Sequence, residues 1–378
     1  MKVVIAPDSY KESLTAKEVC NAIETGFRRV FPDAEYHSVP VADGGEGTVQ
    51  SLVDATNGKL VEVELTGPLG NPVLAFYGIL GDDSNTAVIE MAAASGLHHV
   101  PPLYRDPKNT TSFGTGELIT LALNTGVKRL IIGLGGSATN DGGIGMMAAL
   151  GVRFLDQNGQ SVPLNGQGLH QIESIDISHL NPKLNECELL IASDVDNPLC
   201  GELGASAIFG PQKGATSADV EYLDNGLQHY SNKIEQCLQV SVAQTKGSGA
   251  AGGMGAAFMA FTRAVIKPGI TVVLEAVDLI SKMENTDLVL TGEGRIDEQT
   301  VHGKTPMGVA QLAKQFSIPV IGIAGCLGKN HQVVYECGID AVFAATPRAL
   351  SLDEALEHAS ENVTNLAENI ANLWRLQY

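Results

Sequence analysis

Residues 130–150 read LIIGLGGSATNDGGIGMMAAL, and this stretch constrains the fold more than any other. Its apolar opening, 130–132, is too short for a helix and runs straight into glycines, so it reads as a buried strand. Gly133, Gly135 and Gly136 predict a tight turn whose backbone a ligand can approach closely. Ser137, Thr139, Asn140 and Asp141 add small polar groups at what reads as the start of a helix. Free N–H groups and the local dipole at such a start favour a phosphate or carboxylate. It is not a P-loop, because GxxxxGK[ST] is absent and no lysine follows the glycines. A turn that only packs a helix on a sheet would show the same spacing, so glycines alone do not decide between the two.

The rest of the chain supplies the frame. Residues 3–6 read as a strand, followed by the polar turn Pro7, Asp8, Ser9, Tyr10, Lys11. Thr15 and Glu18 form a capping box, and Val19, Ile23, Phe27 and Val30 share one helical face before Pro32. A second strand over 35–41 enters the loop Asp43, Gly44, Gly45, Glu46, Gly47, with a short helix over 49–55 behind it. From Leu60 the pattern changes. Segments 61–66, 73–80 and 86–90 alternate apolar and polar residues between the turn clusters GPLGNP and GDDSN, which predicts antiparallel strands in a second domain. A helix over 115–125 leads into the 130–132 strand, and 156–159 reads as a hairpin turn. Another strand over 188–193 ends in Asp194, Val195, Asp196. A long helix begins near Ala218, its buried stripe marked by Val220, Leu223, Leu227, Tyr230, Ile234 and Leu238. The run GSGAAGGMGAA, 247–257, imitates a dinucleotide fingerprint but lacks a strand directly before it.

In the final third, strands over 288–291, 319–324 and 341–345 interleave with helices over about 307–315, 332–337 and 352–376. With the two N-terminal strands these make five. The expected fold is therefore α/β: a flavodoxin- or Rossmann-like doubly wound parallel sheet built from 1–66 and 285–378, with a mixed α/β domain, 67–284, inserted in it.

Charge narrows the function. A net charge of −19 argues against nucleic acid or an anionic membrane as partner, since both demand basic surfaces. No run of about 18 apolar residues is present to cross a bilayer, and a cytoplasmic protein is expected. The six cysteines contain no CxxC, so they signal core packing rather than zinc or disulfides. An anionic small substrate would meet a repulsive overall field, so its site needs local cations or a metal. Open parallel sheets bind ligands beyond the carboxyl ends of strands, where strand order reverses. With order 2-1-3-4-5 the first and third strands flank that point, and Lys11 and Arg295 converge there.

Taken together, APDSYKESLTA, PVADGGEGT, GGSATNDGGIGMMAALG, SDVDNPLCGELGASAIFGPQKGA, GAAGGMGAA and TGEGRIDEQTVHGKTPMGVA resemble the bacterial glycerate kinases of the type-I family. The resemblance spans nearly the whole chain. It implies ATP-dependent phosphorylation of D-glycerate with Mg²⁺ in the cytosol, on two α/β domains with one inserted in the other. The similarity is greatest to the 2-kinases, so 2-phosphoglycerate is the expected product, with 3-phosphoglycerate as the alternative.

Phosphoryl transfer asks for positioning and charge neutralisation. Lys11 and Arg295, with Ser9, are candidates for the glycerate carboxylate and the moving phosphate. Asp194 is the candidate for orienting or deprotonating the hydroxyl. Asp43 and Asp297 are its rivals, or else magnesium ligands. Gly135, Gly136, Ser137 and Asn140 would hold ATP phosphates. Two other classes compete: a nicotinamide oxidoreductase using 249–255, and a non-catalytic small-anion binding protein. A homo-oligomer is compatible with the sequence but not specified by it.

Overall fold

The computed structural model describes residues 1–376. The chain divides into two compact units, one made of Met1–Gly58 with the segment from Pro268 onward, the other of Lys59–Lys267.

The first unit carries a five-stranded sheet. Its strands are Lys2–Ile5, Glu35–Ser38, Leu288–Ile296, Val320–Leu327 and Ala341–Ala344. Numbered in that order they lie side by side as 2-1-3-4-5, and every neighbouring pair is parallel. This is the flavodoxin-like order, with its switch point between strands one and three. Helix Ala16–Arg28 starts at the expected capping box: Thr15 Oγ1 accepts from the Glu18 N–H at 3.2 Å, and Glu18 Oε2 accepts from the Thr15 N–H at 2.8 Å. Its face of Val19, Ile23 and Phe27 is fully buried with Val3, Ile5, Leu288 and Leu290 of the sheet. Helix Ala359–Arg375 packs against it so closely that a Cβ on Gly26 would stand 2.3 Å from the Thr364 carbonyl oxygen.

Strands three and four approach closely as well. A Cβ on Gly292 would lie 1.7 Å from the Ile323 carbonyl oxygen, the residue it faces in register. No side chain fits there without parting the two strands. Gly292→Ala is therefore expected to lower stability by about 3 kcal/mol or more, the upper end of overpacking effects. A thermal melt checks this, and an unchanged midpoint would mean that the strands can part at little cost.

The second unit holds a six-stranded sheet in the order Val265–Lys267, Glu188–Ala192, Arg129–Gly133, Thr86–Glu90, Pro72–Ile79, Lys59–Thr66. The last three are antiparallel, as their alternation and turn clusters indicate, and the first four are parallel. The sequence reading put the junctions at 66/67 and 284/285, whereas the units divide at 58/59 and 267/268. Two placements account for the difference. Strand Lys59–Thr66 pairs along its whole length with Pro72–Ile79, and helix Gly269–Ala276 packs in the first unit against Thr305–Gln315.

Three local expectations also change. The helix after the glycine loop begins only at Ile144 and ends at Ala149. The expected 352–376 helix is two, Leu352–Glu357 and Ala359–Arg375. Of the cysteines, Cys20, Cys187 and Cys200 are buried, but Cys237 and Cys326 are exposed. The 247–257 glycines serve packing: Gly252, at φ +67°, donates no side chain, and a Cβ there would sit 2.0 Å from the Thr139 carbonyl oxygen.

Candidate active site

In the first unit a cleft of about 520 Å³ opens beyond the carboxyl ends of the first three strands. Asp8, Ser9 and Lys11 come from the loop after strand one, Asp43 from the loop after strand two, and Glu293 and Arg295 from the end of strand three. Lys304 enters from the residue that caps helix Thr305–Gln315. This is the switch point, and its lining mixes carboxylates with three cations.

Asp8 is the most constrained of these groups. Its Oδ1 accepts from the Ser9 N–H at 2.7 Å and the Ser9 hydroxyl at 3.2 Å, and its Oδ2 accepts from the Thr305 hydroxyl at 2.5 Å. Burial pushes its pKa up to about 6; the Thr305 hydrogen bond opposes this, and the charges of Asp43 and Glu293 add to it. Glu293 is raised in the same direction, first by burial, although the Thr300 hydroxyl donates to it at 2.6 Å and Lys304 Nζ pairs with it at 3.0 Å.

The cations named from the sequence are more open. Lys11 has 83% of its side chain exposed and stands 3.8 Å from the equally exposed Glu46, a weak pairing. Arg295 Nε forms an ion pair with Asp297 Oδ2 at 3.0 Å. That holds one edge of the guanidinium and leaves its terminal nitrogens for a ligand. Asp43 Oδ1 accepts from the Gly45 N–H at 2.9 Å. Asp297 is engaged twice, by Arg295 and by the Gln299 N–H at 2.9 Å, and does not line the cleft.

The remaining sequence candidates lie in the second unit. Strands Arg129–Gly133 and Glu188–Ala192 are parallel neighbours with Gly133 opposite Ala192, so Gly135 and Asp194 each follow two residues beyond a matched strand end. Asp194 is exposed. Gly135 and Gly136 are exposed, while Ser137, Thr139 and Asn140 are buried. The N–H groups of Gly135, Gly136 and Ser137 find no protein acceptor among the described residues. The helix start is not what serves this loop. Asp141, fully buried, accepts from the N–H groups of Gly143, Gly145 and Ser112 and from the Ser112 hydroxyl, so its carboxylate occupies the helix N-terminus from within. Ser137 Oγ accepts from the buried Lys213 Nζ at 2.7 Å, and the Asn140 side-chain N–H donates to Ser206 Oγ at 3.0 Å.

The structure thus brings Ser9, Lys11, Asp43 and Arg295 to one cleft, and puts Gly135, Gly136, Ser137, Asn140 and Asp194 at strand ends of the other unit. Four groups had no assigned role: Asp8, Glu293, Lys304 and Lys213. Both lysines stand in the motifs quoted above, in HGKTP and GPQKG, but nothing local marks Lys213 as buried or Lys304 as half-buried. Asp8 sits at a strand end, yet its raised pKa comes from folding, which buries it first of all and also brings Asp43 and Glu293 near it.

A doubly wound sheet with a charged cleft at its switch point defines an α/β protein built to handle a small anion. The model of the glycerate kinase family matches residues 3–375. The chain is 56% identical over 371 residues to a glycerate kinase of Bacillus subtilis (strain 168), covering 98% of this chain and 97% of that one. It is 55% identical over 371 residues to the glycerate 2-kinase of Escherichia coli (strain K12), with the same coverage. A crystal structure from Salmonella typhimurium LT2, provisionally described as glycerate kinase 2, shares 54% identity and a TM-score of 0.93 over 100% of this chain and 99% of that one. The chain belongs to the glycerate kinase family and is a phosphotransferase.

Proposed function

We propose that this chain transfers the terminal phosphoryl group of ATP to the 2-hydroxyl of D-glycerate, giving 2-phosphoglycerate. The observation that carries this reading is the first-unit cleft, where Lys11, Arg295 and Lys304 gather in a molecule of net charge −19. Local cations are what an anionic substrate needs against that field. The family supports glycerate, and the relative called glycerate 2-kinase supports the 2-hydroxyl. A consumer of ATP and a small organic acid would work in the cytoplasm, where both are at hand.

Glycerate's carboxylate is matched by the open edge of Arg295, whose planar fork can bind it bidentately, with Ser9 beside it. Lys11 is free enough to follow charge as it moves from donor to acceptor. Lys304, held by Glu293, supplies a fixed positive charge. Asp8 is placed to take the hydroxyl proton: it lines the same cleft, and a base with pKa about 6 is effective near neutral pH. Asp194 is the second candidate for that role, favoured by its place at a matched strand end beside the glycine loop. Gly135, Gly136, Ser137 and Asn140 would receive ATP phosphates through the loop.

The cleft also suits Mg²⁺. Its donors are carboxylate oxygens, and Asp43 and Glu293 stand near enough to Asp8 for their charges to raise its pKa. No group of three or more metal-binding side chains encloses an ion among the described residues. One or two carboxylates plus nucleotide phosphates is the usual magnesium arrangement, which here points to Asp43, with Asp297 behind it at Arg295. When bound, the ion would neutralise developing phosphate charge.

ADP release measured with D-glycerate, lactate and glyceraldehyde tests the reading. Release should require D-glycerate, and excess chelator should slow it by at least about 100-fold, restored by added Mg²⁺. Glycerate-independent release, or full turnover in chelator, would contradict it.

A further inference from the structure

In the second unit, the turn Pro211–Lys213 delivers a lysine into the interior behind the glycine loop. Lys213 is 2% exposed. Its ammonium donates to two neutral acceptors, Ser137 Oγ and the Thr139 carbonyl, each at 2.7 Å. Among the described residues no carboxylate bonds it. The charge of Asp141 acts on it, but the Asp141 oxygens are already taken up by Ser112, Gly143 and Gly145.

A buried ammonium without a bonded counter-charge is unfavourable, and an apolar side chain of similar volume would serve stability at least as well. The charge therefore calls for a recipient outside the core. The surroundings indicate one. Thr139 Oγ1 and Asn140 Oδ1 are buried without hydrogen-bond partners, while Gly135 and Gly136, in the same loop, are exposed with unused N–H groups. Gly136 adopts φ +75° and Gly252 seats its backbone against Thr139, so the loop has one defined shape. Lys213 ties two points of that loop to the 211–213 turn.

We infer that Lys213 is a positioning residue for a phosphate-bearing ligand: its ammonium fixes Ser137 and Thr139, and with them the exposed backbone of Gly135 and Gly136, and lends the loop a positive charge. This rests on the reading that the loop receives nucleotide phosphates. Burial lowers the Lys213 pKa to about 7, with Asp141 opposing that fall. Below that pH the lysine is charged and above it neutral, so its contribution to anion binding should fade as pH rises.

The test uses ADP binding to the full chain by calorimetry at pH 6 and pH 8.5. Lys213→Met should melt cooperatively, keep its KM for D-glycerate within about twofold, and bind ADP roughly 10-fold more weakly than the parent at pH 6. The gap should close at pH 8.5, where the parent lysine has lost its charge. Lys213→Arg cannot lose its charge, so it should keep ADP affinity at pH 6 and hold it at pH 8.5 relative to the parent. A purely structural lysine would give a gap independent of pH. Equal ADP affinity of parent and Lys213→Met at pH 6, or a pH-independent gap, overturns the inference. If Lys213→Met does not fold, an arginine variant that keeps the parent's pH dependence overturns it as well. Gly136→Val separates the two levels. Undiminished ADP affinity there removes the phosphate reading and this inference with it, whereas weakened binding beside an unaffected Lys213→Met sinks only the role of Lys213.

Discussion

Asp8→Asn is expected to bind ATP and D-glycerate nearly as well as the parent chain and to turn over about 100 to 10,000-fold more slowly, the usual loss when a general base is removed. The amide keeps the size of the carboxylate; its oxygen can accept from the Ser9 N–H and its NH2 can donate to the Thr305 hydroxyl oxygen, so the loop after strand one should hold its shape. It loses only the charge that would draw the hydroxyl proton. The same substitution should also stabilise the free protein near neutral pH. Asp8 has a folded pKa of about 6, raised above its ordinary value of 3.8. At pH below the lower value both states are protonated and the shift contributes nothing. Between the two, the unfolded state ionises freely while the folded carboxyl stays protonated, so the penalty on folding grows with pH. Above pH 6 the full penalty is present, at most about 3 kcal/mol. Urea unfolding without metal or nucleotide should therefore show Asp8→Asn more stable than the parent at pH 7.5 and no such advantage at pH 3.5. Asp194→Asn supplies the kinetic contrast. If Asp194→Asn loses nearly all turnover while Asp8→Asn stays within a few-fold of the parent, the base belongs to the second unit.

Arg295→Lys should raise KM for D-glycerate by roughly 10 to 100-fold with a smaller change in kcat. A bidentate, charge-assisted pair contributes about 1.5–3 kcal/mol, and a lysine keeps the charge but not the fork. Because Asp297 holds the Nε edge, the lost contacts are those of the terminal nitrogens facing the ligand. Lys11→Ala should show the opposite split, with kcat lowered more than nucleotide binding is weakened. Steady-state kinetics on both variants checks the pair, and an Arg295→Lys enzyme with unchanged KM would move the carboxylate site elsewhere.

Much of the frame could be read from local pattern. Short runs ending in polar turns marked all five strands of the flavodoxin-like sheet, and Thr15 with Glu18 marked the first helix. The turn clusters GPLGNP and GDDSN marked the antiparallel strands. What escaped is what depends on distant partners. The 59–66 strand belongs to the second unit because of its pairing with Pro72–Ile79, and the helix after the glycines starts late because Asp141 folds back on Gly143 and Gly145. In the site, Lys11 and Arg295 were visible as cations at strand ends. The part-buried pairing of Lys304 with Glu293 and the neutral partners of Lys213 exist only after folding, and a lysine in a glycine-rich motif reads as surface until then.

The most direct measurement is a crystal structure of Asp8→Asn with D-glycerate bound. The account predicts the ligand in the first-unit cleft, its carboxylate on Arg295 with Ser9 beside it, and its 2-hydroxyl nearest position 8. D-glycerate seated instead on the loop of Gly135, Gly136 and Ser137, with the switch-point cleft empty, would contradict it.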